Sequence, residues 1–267
     1  MIRKYQEILN VRVDSTSKDL VLAWVEKRVT EKKKSLIVTP NPEIVLQAQK
    51  DRDLRLILNK AEMALADGVG LVYAAKFLGL PGPREVVRGR EIFINLCEIA
   101  SKKGWRIFLL GGRRGVSQKA KENLLQKFPR LKIEEYYGPS LDKNGNPTAK
   151  EDKKLEEIAI DKINNFKTDL LFVGFGCPKQ EKWLYRNWYR LNIKVGMVVG
   201  GAFDYTGGTS KLPPKWLANL GFEWLWRLIC EPRRAKRIIS ATVLFPIKIV
   251  LEKIKNFNFI NSVGKTN

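Results

Sequence analysis

Short, unbroken apolar runs alternate along the chain with longer stretches whose apolar residues recur at helical spacing. The runs are SLIVT (35–39), WRIFLLGG (105–112), LKIEEYYG (131–138), TDLLFVGFG (168–176) and IKVGMVVGGAFD (193–204). Helical patterns lie near 52–65, 90–103, 115–128, 149–166 and 178–190. Strands alternating with amphipathic helices predict β-α-β units and a mostly parallel sheet. LLFVG and VGMVVG, apolar throughout, suit strands covered on both faces. The expected fold class is therefore α/β, Rossmann-like, with helices on both faces of the sheet and a basic amphipathic helical appendage at the C-terminus.

The run GPSLDKNGNPTAKEDKK (138–154), rich in Gly, Pro, Asn and Lys, reads as an exposed loop leading into a helix. Composition changes near Thr206, after which the chain is aromatic and helix-like, with Lys and Arg far outnumbering Glu. The expected division is a Rossmann-like core over 1–205 and a membrane-surface appendage over 206–267.

Charge narrows the partners. The chain of 267 residues carries a formal charge of +21, which calls for a polyanion: nucleic acid, anionic lipid or a phosphorylated substrate. It contains no histidine, which excludes Ser-His-Asp and Cys-His nucleophile systems and H-E-x-x-H zinc sites. Proton transfer falls to a carboxylate, Lys, Tyr or Cys. Cys97, Cys177 and Cys230 are too scattered for a disulfide framework or a zinc site. MIRKYQEILNVRVDS lacks the apolar run of a signal peptide, and no stretch reaches the roughly 20 apolar residues of a spanning helix. A cytoplasmic protein, peripheral on the inner face of the plasma membrane, is expected.

Three glycine-rich turns follow predicted strands directly: GGRRG (111–115), GFGCPKQE (174–181) and GGAFDYTGG (200–208). Ligands of open α/β sheets bind beyond the carboxyl ends of the strands, where glycine admits close backbone approach and helix N-termini attract phosphate. Gly111, Gly112, Gly176, Lys179 and Gln180 are thus candidates to hold a diphosphate, with Arg113 and Arg114 beside them. Each turn taken singly also fits ordinary strand-to-helix geometry.

TPNPE (39–43) breaks its strand with two prolines, leaving Thr39 and Asn41 either to orient a sugar or to cap the next helix. Asp67, expected in a helix-to-helix turn ahead of two glycines, is a cap or, in a chain without histidine, a general base. The D-R-D triplet at 51–53 opens a helical pattern, so its acids read as partners of the helix dipole and not as metal ligands. The segment PPKWLANLGFEWLWRLICEPRRAKRIISATVLFPIKIVLEKIKNF interleaves aromatics with cations, the pattern of a helix in a lipid interface or of a packed terminal helix pair.

Taken in order, TPNPEI, ADGVGLVYAAKFLG, IFLLGG, DLLFVGFGCPKQE, VGGAFDYTGG and KWLANLGFEWLWRLICEPRR resemble the WecG/TagA/CpsF family of bacterial glycosyltransferases. The resemblance implies an inverting, metal-independent transfer from a UDP-sugar donor to an undecaprenyl-diphosphate-linked acceptor. In the teichoic-acid branch the sugar is N-acetylmannosamine and the acceptor carries N-acetylglucosamine. It implies Asp67 as base, Thr39 and Asn41 in the sugar pocket, Gln180 as a polar member of the site, and Arg227, Arg234 and Arg237 as appendage arginines completing it at the membrane. One departure is REVVRG (84–89), where Val86 stands in place of the family's arginine and Arg84 or Arg88 is left to substitute. No cofactor and no nucleic acid are expected, and a homo-oligomer stays open. The competing reading is a nucleic-acid-binding α/β protein using its basic tail, with a non-catalytic nucleotide sensor as a third.

Overall fold

A computed structural model describes residues 4–214, 217, 225, 226, 228 and 235–263, the last range by backbone alone at 236, 237 and 257–263. The chain opens with a hairpin that its sequence pattern did not announce. Strands β1 (Tyr5–Ile8) and β2 (Val11–Asp14) pair antiparallel. Leu9 and Asn10 between them both have positive φ (50° and 58°), the two-residue turn whose twist matches paired strands. Helix α1 (Lys18–Thr30) follows, capped by the Ser17 side chain.

The body then runs β3 (Ser35–Val38), α2 (Pro42–Ala48), α3 (Arg52–Lys60), β4 (Met63–Ala64), α4 (Val69–Leu78), α5 (Gly89–Lys103), β5 (Arg106–Gly111), α6 (Val116–Lys127), β6 (Lys132–Tyr136), α7 (Lys150–Asn165), β7 (Leu170–Gly174), α8 (Lys179–Arg186), β8 (Val195–Val198) and α9 (Ala202–Thr206). Six strands form one sheet in the order β4-β3-β8-β7-β5-β6, every pair parallel. Successive side chains of a strand point to opposite faces. Leu36, Val38, Phe108, Leu110, Leu171 and Val173 accordingly pack with α2, α3, α7 and α8, whereas Ile37, Ile107, Leu109, Leu170 and Phe172 pack with α1, α5 and α6. Both faces are buried, as the unbroken apolar runs predicted.

Three expectations change. The helical pattern of 52–65 is cut at Lys60, because Ala61 turns to an extended conformation and Met63 pairs with Ile37 in the sheet. Hydrogen bonds hold the new strand in place: Ala64 N–H donates to Asp14 Oδ2 at 2.8 Å, and Leu36 N–H donates to Glu62 Oε2 at 2.7 Å. Asp67 therefore follows a strand and not a helix, at the carboxyl edge of the sheet. The 138–154 loop is also less exposed than expected, with Gly138, Pro139, Leu141 and Gly145 buried. Leu141 bridges Pro147, Asp142 closes the turn by accepting the N–H groups of Asn144 and Asn146 (both 2.8 Å), and Arg186 of α8 donates to Gly145 O at 2.6 Å.

At the C-terminus α10 (Ala235–Ile239), a π-helical turn (Ser240–Leu244) and α11 (Phe245–Val263) are continuous. The π turn ends two residues before Pro246, whose ring nitrogen has no hydrogen to donate to the ladder. Phe245 and Ile249 bury their side chains in the core shared with α2 and α4. The Lys253 ammonium donates to Phe77 O at 2.6 Å. Among the described residues no helix is long and apolar enough to cross a membrane.

Candidate active site

All strands of the sheet are parallel, so the loops after β3, β4, β5, β7 and β8 emerge on one edge. The three glycine turns meet there. Gly111 has φ 102°, and a Cβ on it would stand 3.0 Å from the carbonyl carbon of Gly174. A Cβ on Gly174 would in turn strike the Phe203 ring at 2.8 Å. Glycine is needed at both positions for the turns to come this close.

The turn amides are committed inward. Gly112 N–H donates to Gly174 O at 3.0 Å. The N–H groups of Gly176 and Gly200 both donate to Gln180 Oε1 at 3.1 Å, and Gln180 Nε2 donates to Glu181 Oε1 at 3.0 Å. Gln180 is 1% exposed and sits behind the turns. The N–H groups of Gly112, Gly176 and Gly200 are thus engaged by acceptors within the protein.

In front of the turns lies a cavity of about 1020 Å³, lined among others by Gly112, Arg113, Arg114, Tyr137, Gly176, Lys179, Gly200 and Asp204. Its anion-seeking groups are Arg113, Arg114, Lys179 and the head of α6, whose N-cap Gly115 supplies no side-chain cap. Arg113 is paired with Asp204 at 3.2 Å, Arg114 lies over the Tyr137 ring at 5.6 Å, and Lys179 donates to Leu141 O at 2.5 Å. Tyr137 and Asp204 were missed by sequence reasoning. Asp204 sits in the quoted GGAFDYTGG turn, so its place three residues past a glycine pair was a usable signal. Tyr137 carries none, because only the fold brings β6 to the same edge.

Thr39, Asn41 and Asp67 form a second cluster, at the ends of β3 and β4. Asp67 N–H donates to Pro40 O at 2.9 Å. Thr39 is buried, with Oγ1 3.5 Å from Val198 O, so the cluster adjoins the β8 turn that lines the cavity. Asn41 caps α2 by accepting Ile44 N–H at 2.9 Å. Asp67 makes no such cap for α4; Oδ2 instead accepts the N–H of Gly89 at 3.3 Å, at the head of α5. A Cβ on Gly89 would lie 2.8 Å from the Thr39 methyl, so only glycine fits between Thr39 and Asp67. Of the two arginines near Val86, Arg88 is the N-cap residue of α5 beside this cluster, while exposed Arg84 donates to Pro81 O at 3.2 Å.

Asp51 caps α3 through Leu54 N–H at 3.0 Å and pairs with Lys182 at 2.8 Å, a structural use of the D-R-D triplet. Arg227 and Arg234 lie outside the described residues, and Arg237 is described by its backbone only.

The profile of the glycosyl transferase WecG/TagA/CpsF family matches residues 6–258. The chain belongs to that family. A relative from Bacillus subtilis (strain 168), named N-acetylglucosaminyldiphosphoundecaprenol N-acetyl-beta-D-mannosaminyltransferase, is 30% identical over 238 residues, 88% of this chain and 87% of its own. One of the same name from Staphylococcus aureus (strain MRSA252) is 31% identical over 254 residues, 93% of each chain. As a WecG/TagA/CpsF glycosyltransferase, the protein sets its glycine turns, Thr39 and Asp67 beyond strand ends on one edge of its sheet.

Proposed function

We propose that the protein transfers N-acetylmannosamine from its UDP derivative to undecaprenyl-diphosphate-linked N-acetylglucosamine, with inversion and without a metal, in the synthesis of a cell-surface polymer such as teichoic acid. One observation carries the reading: a large cavity lined by two arginines and a lysine opens at the sheet edge that also holds a half-buried carboxylate, Asp67. The names of the two relatives support the sugar and the acceptor.

In this mechanism the donor diphosphate lies against Arg113, Arg114, Lys179 and the head of α6, and the sugar extends toward Thr39 and Asn41. Asp67 accepts the proton of the acceptor hydroxyl as its oxygen attacks the anomeric carbon, and UDP departs from the opposite face. The α5 N–H that meets Asp67 Oδ2 suits a negatively charged side chain. Cations around the diphosphate stabilise the charge that grows on the leaving group. Appendage arginines Arg227, Arg234 and Arg237 complete this charge, and Gln180 serves by holding the turns.

The C-terminal helix supports docking at a lipid surface. Ile239, Val243, Ile247, Val250, Leu251 and Ile254 are all exposed, while Ile238, Phe245 and Ile249 face the core. Lysines 248, 253 and 255 lie among the exposed apolar positions, the composition of an interfacial helix. We therefore read residues 206–267 as the part that meets the anionic inner leaflet, packed on a core of 1–205.

Incubating the protein with lipid-linked acceptor and a panel of UDP-sugars, followed by product analysis, tests the assignment. Turnover confined to a different nucleotide sugar would overturn the donor. Liposome flotation beside a duplex-binding titration separates the lipid reading from the nucleic-acid one.

A further inference from the structure

Behind the glycine turns lies a buried acid that the mechanism does not use. Glu181 is 1% exposed; its Oε1 accepts from Gln180 Nε2 at 3.0 Å, and its Oε2 has no hydrogen-bond partner. A carboxylate oxygen left bare in the interior carries a desolvation penalty that the neutral acid largely avoids.

We propose that Glu181 is a positioning residue that, held as a neutral carboxylic acid, fixes the Gln180 amide in the orientation that ties the β7 and β8 turns together behind the donor cavity. The amide has two unlike ends. Its oxygen must face the Gly176 and Gly200 N–H groups, because the NH₂ end would meet two donors there. Glu181 Oε1 supplies the acceptor that the NH₂ end needs on the other side. Neutrality matters because the cavity is read as a diphosphate site, and a carboxylate behind its wall would repel that charge.

The groups acting on the Glu181 carboxyl agree with this. Burial pushes it above the usual carboxylate range, against the opposing pull of the Gln180 amide, its own N–H and the Cys177 thiol. The neighbouring cations are engaged elsewhere: Lys179 with Leu141 O and Lys182 with Asp51. From α2, the facing group is the uncharged Gln47, 3.6 Å from the Cys177 sulfur. An acid held above its ordinary value keeps its proton at low pH and loses it as pH rises, so the clamp weakens on the alkaline side.

The inference rests on the donor reading for its functional consequence, not for the clamp itself. The full-length protein, Glu181→Gln and Glu181→Ala are compared by hydrogen exchange of peptides spanning the two turns, without ligand, and by UDP titration between pH 6 and 9. Glu181→Ala is expected to exchange about tenfold faster at both turns and to bind UDP about tenfold more weakly. Glu181→Gln, a neutral isostere, is expected to match wild type in exchange and in UDP affinity at pH 6, and to lose no more affinity than wild type as pH rises to 9. Cys177 is present in both proteins, so only their difference reports on Glu181. Glu181→Gln as damaged as Glu181→Ala at pH 6 overturns the neutral acid, and Glu181→Ala with wild-type exchange overturns the positioning role. If Glu181→Ala does not fold, Glu181→Gln against wild type at pH 6 decides: wild-type exchange and affinity support the neutral acid, and their loss overturns it. Wild type that binds no UDP removes the donor reading, and the exchange comparison still decides the clamp.

Discussion

Gln180 Oε1 accepts the backbone N–H of Gly200 at 3.1 Å, joining α8 to the turn after β8. The same oxygen holds Gly176, so one side-chain atom sets the spacing of two turns that border the cavity. Removing it leaves two N–H groups without an acceptor, each costing about 1–3 kcal/mol when buried. Gln180→Ala is expected to lower the melting temperature and raise donor KM about tenfold, the equivalent of roughly 1.4 kcal/mol. Steady-state kinetics with thermal melting checks this, and unchanged donor KM in a folded variant refutes it.

Asp67 stands just beyond β4 and against Gly89, a position with no room for a side chain. Asp67→Asn keeps the shape and removes the basic oxygen. A loss of about 10²–10⁴ in kcat is expected, with UDP affinity and melting temperature little changed. A variant within a few-fold of wild type excludes Asp67 as the base.

Asp51 is engaged with the α3 cap and Lys182. Transfer is therefore expected to proceed at its full rate in excess chelator after bound metals have been stripped. Activity that vanishes and returns with magnesium or manganese would show that a metal carries part of the leaving-group charge.

Deleting the whole appendage is a poor test of docking, because Phe245 and Ile249 belong to the core. Point variants separate the two faces of the helix. Ile249→Ala is expected to cost about 2–5 kcal/mol of stability. The double change Ile247→Glu and Leu251→Glu falls on exposed positions and is expected to leave stability within about 0.5 kcal/mol for each site. It should nevertheless abolish flotation with anionic liposomes and turnover of lipid-linked acceptor. Undiminished flotation rules out this face as the docking surface.

The 138–154 loop lines the cavity through Pro139, Ser140 and Leu141, and two aspartates hold it. Asp152 accepts Ser140 N–H at 2.9 Å and the Thr148 hydroxyl at 2.5 Å, and these bonds hold its carboxyl below the usual range. Asp142 is lowered likewise by the N–H groups of Asn146 and Asn144. Groups lowered in the folded state stabilise above their ordinary value and lose that contribution as pH falls. The loop is expected to loosen below about pH 4, seen as faster hydrogen exchange across it, and Asp152→Asn should exchange faster already at pH 7. A variant with wild-type protection at pH 7 refutes this role.

Much of this protein is determined by its sequence alone. Unbroken runs such as LLFVG predict a strand buried on both faces, and period-3.6 stretches predict the helices between, because burial and local geometry leave few other solutions. Glycine pairs after those strands mark the edge where the candidate site lies, and the absence of histidine narrows a proposed base to a few side chains. Tertiary structure decided the rest. β4 is two residues long, too short for any periodicity, and exists only because Ile37 offers it a partner, so Asp67 reached the sheet edge by a route the pattern could not announce. The inward use of the glycine amides, the burial of Gln180 and Glu181 and the packing of Phe245 likewise depend on contacts between segments far apart in sequence. Local spacing carries no record of such contacts, whose energies arise only once the whole chain has folded.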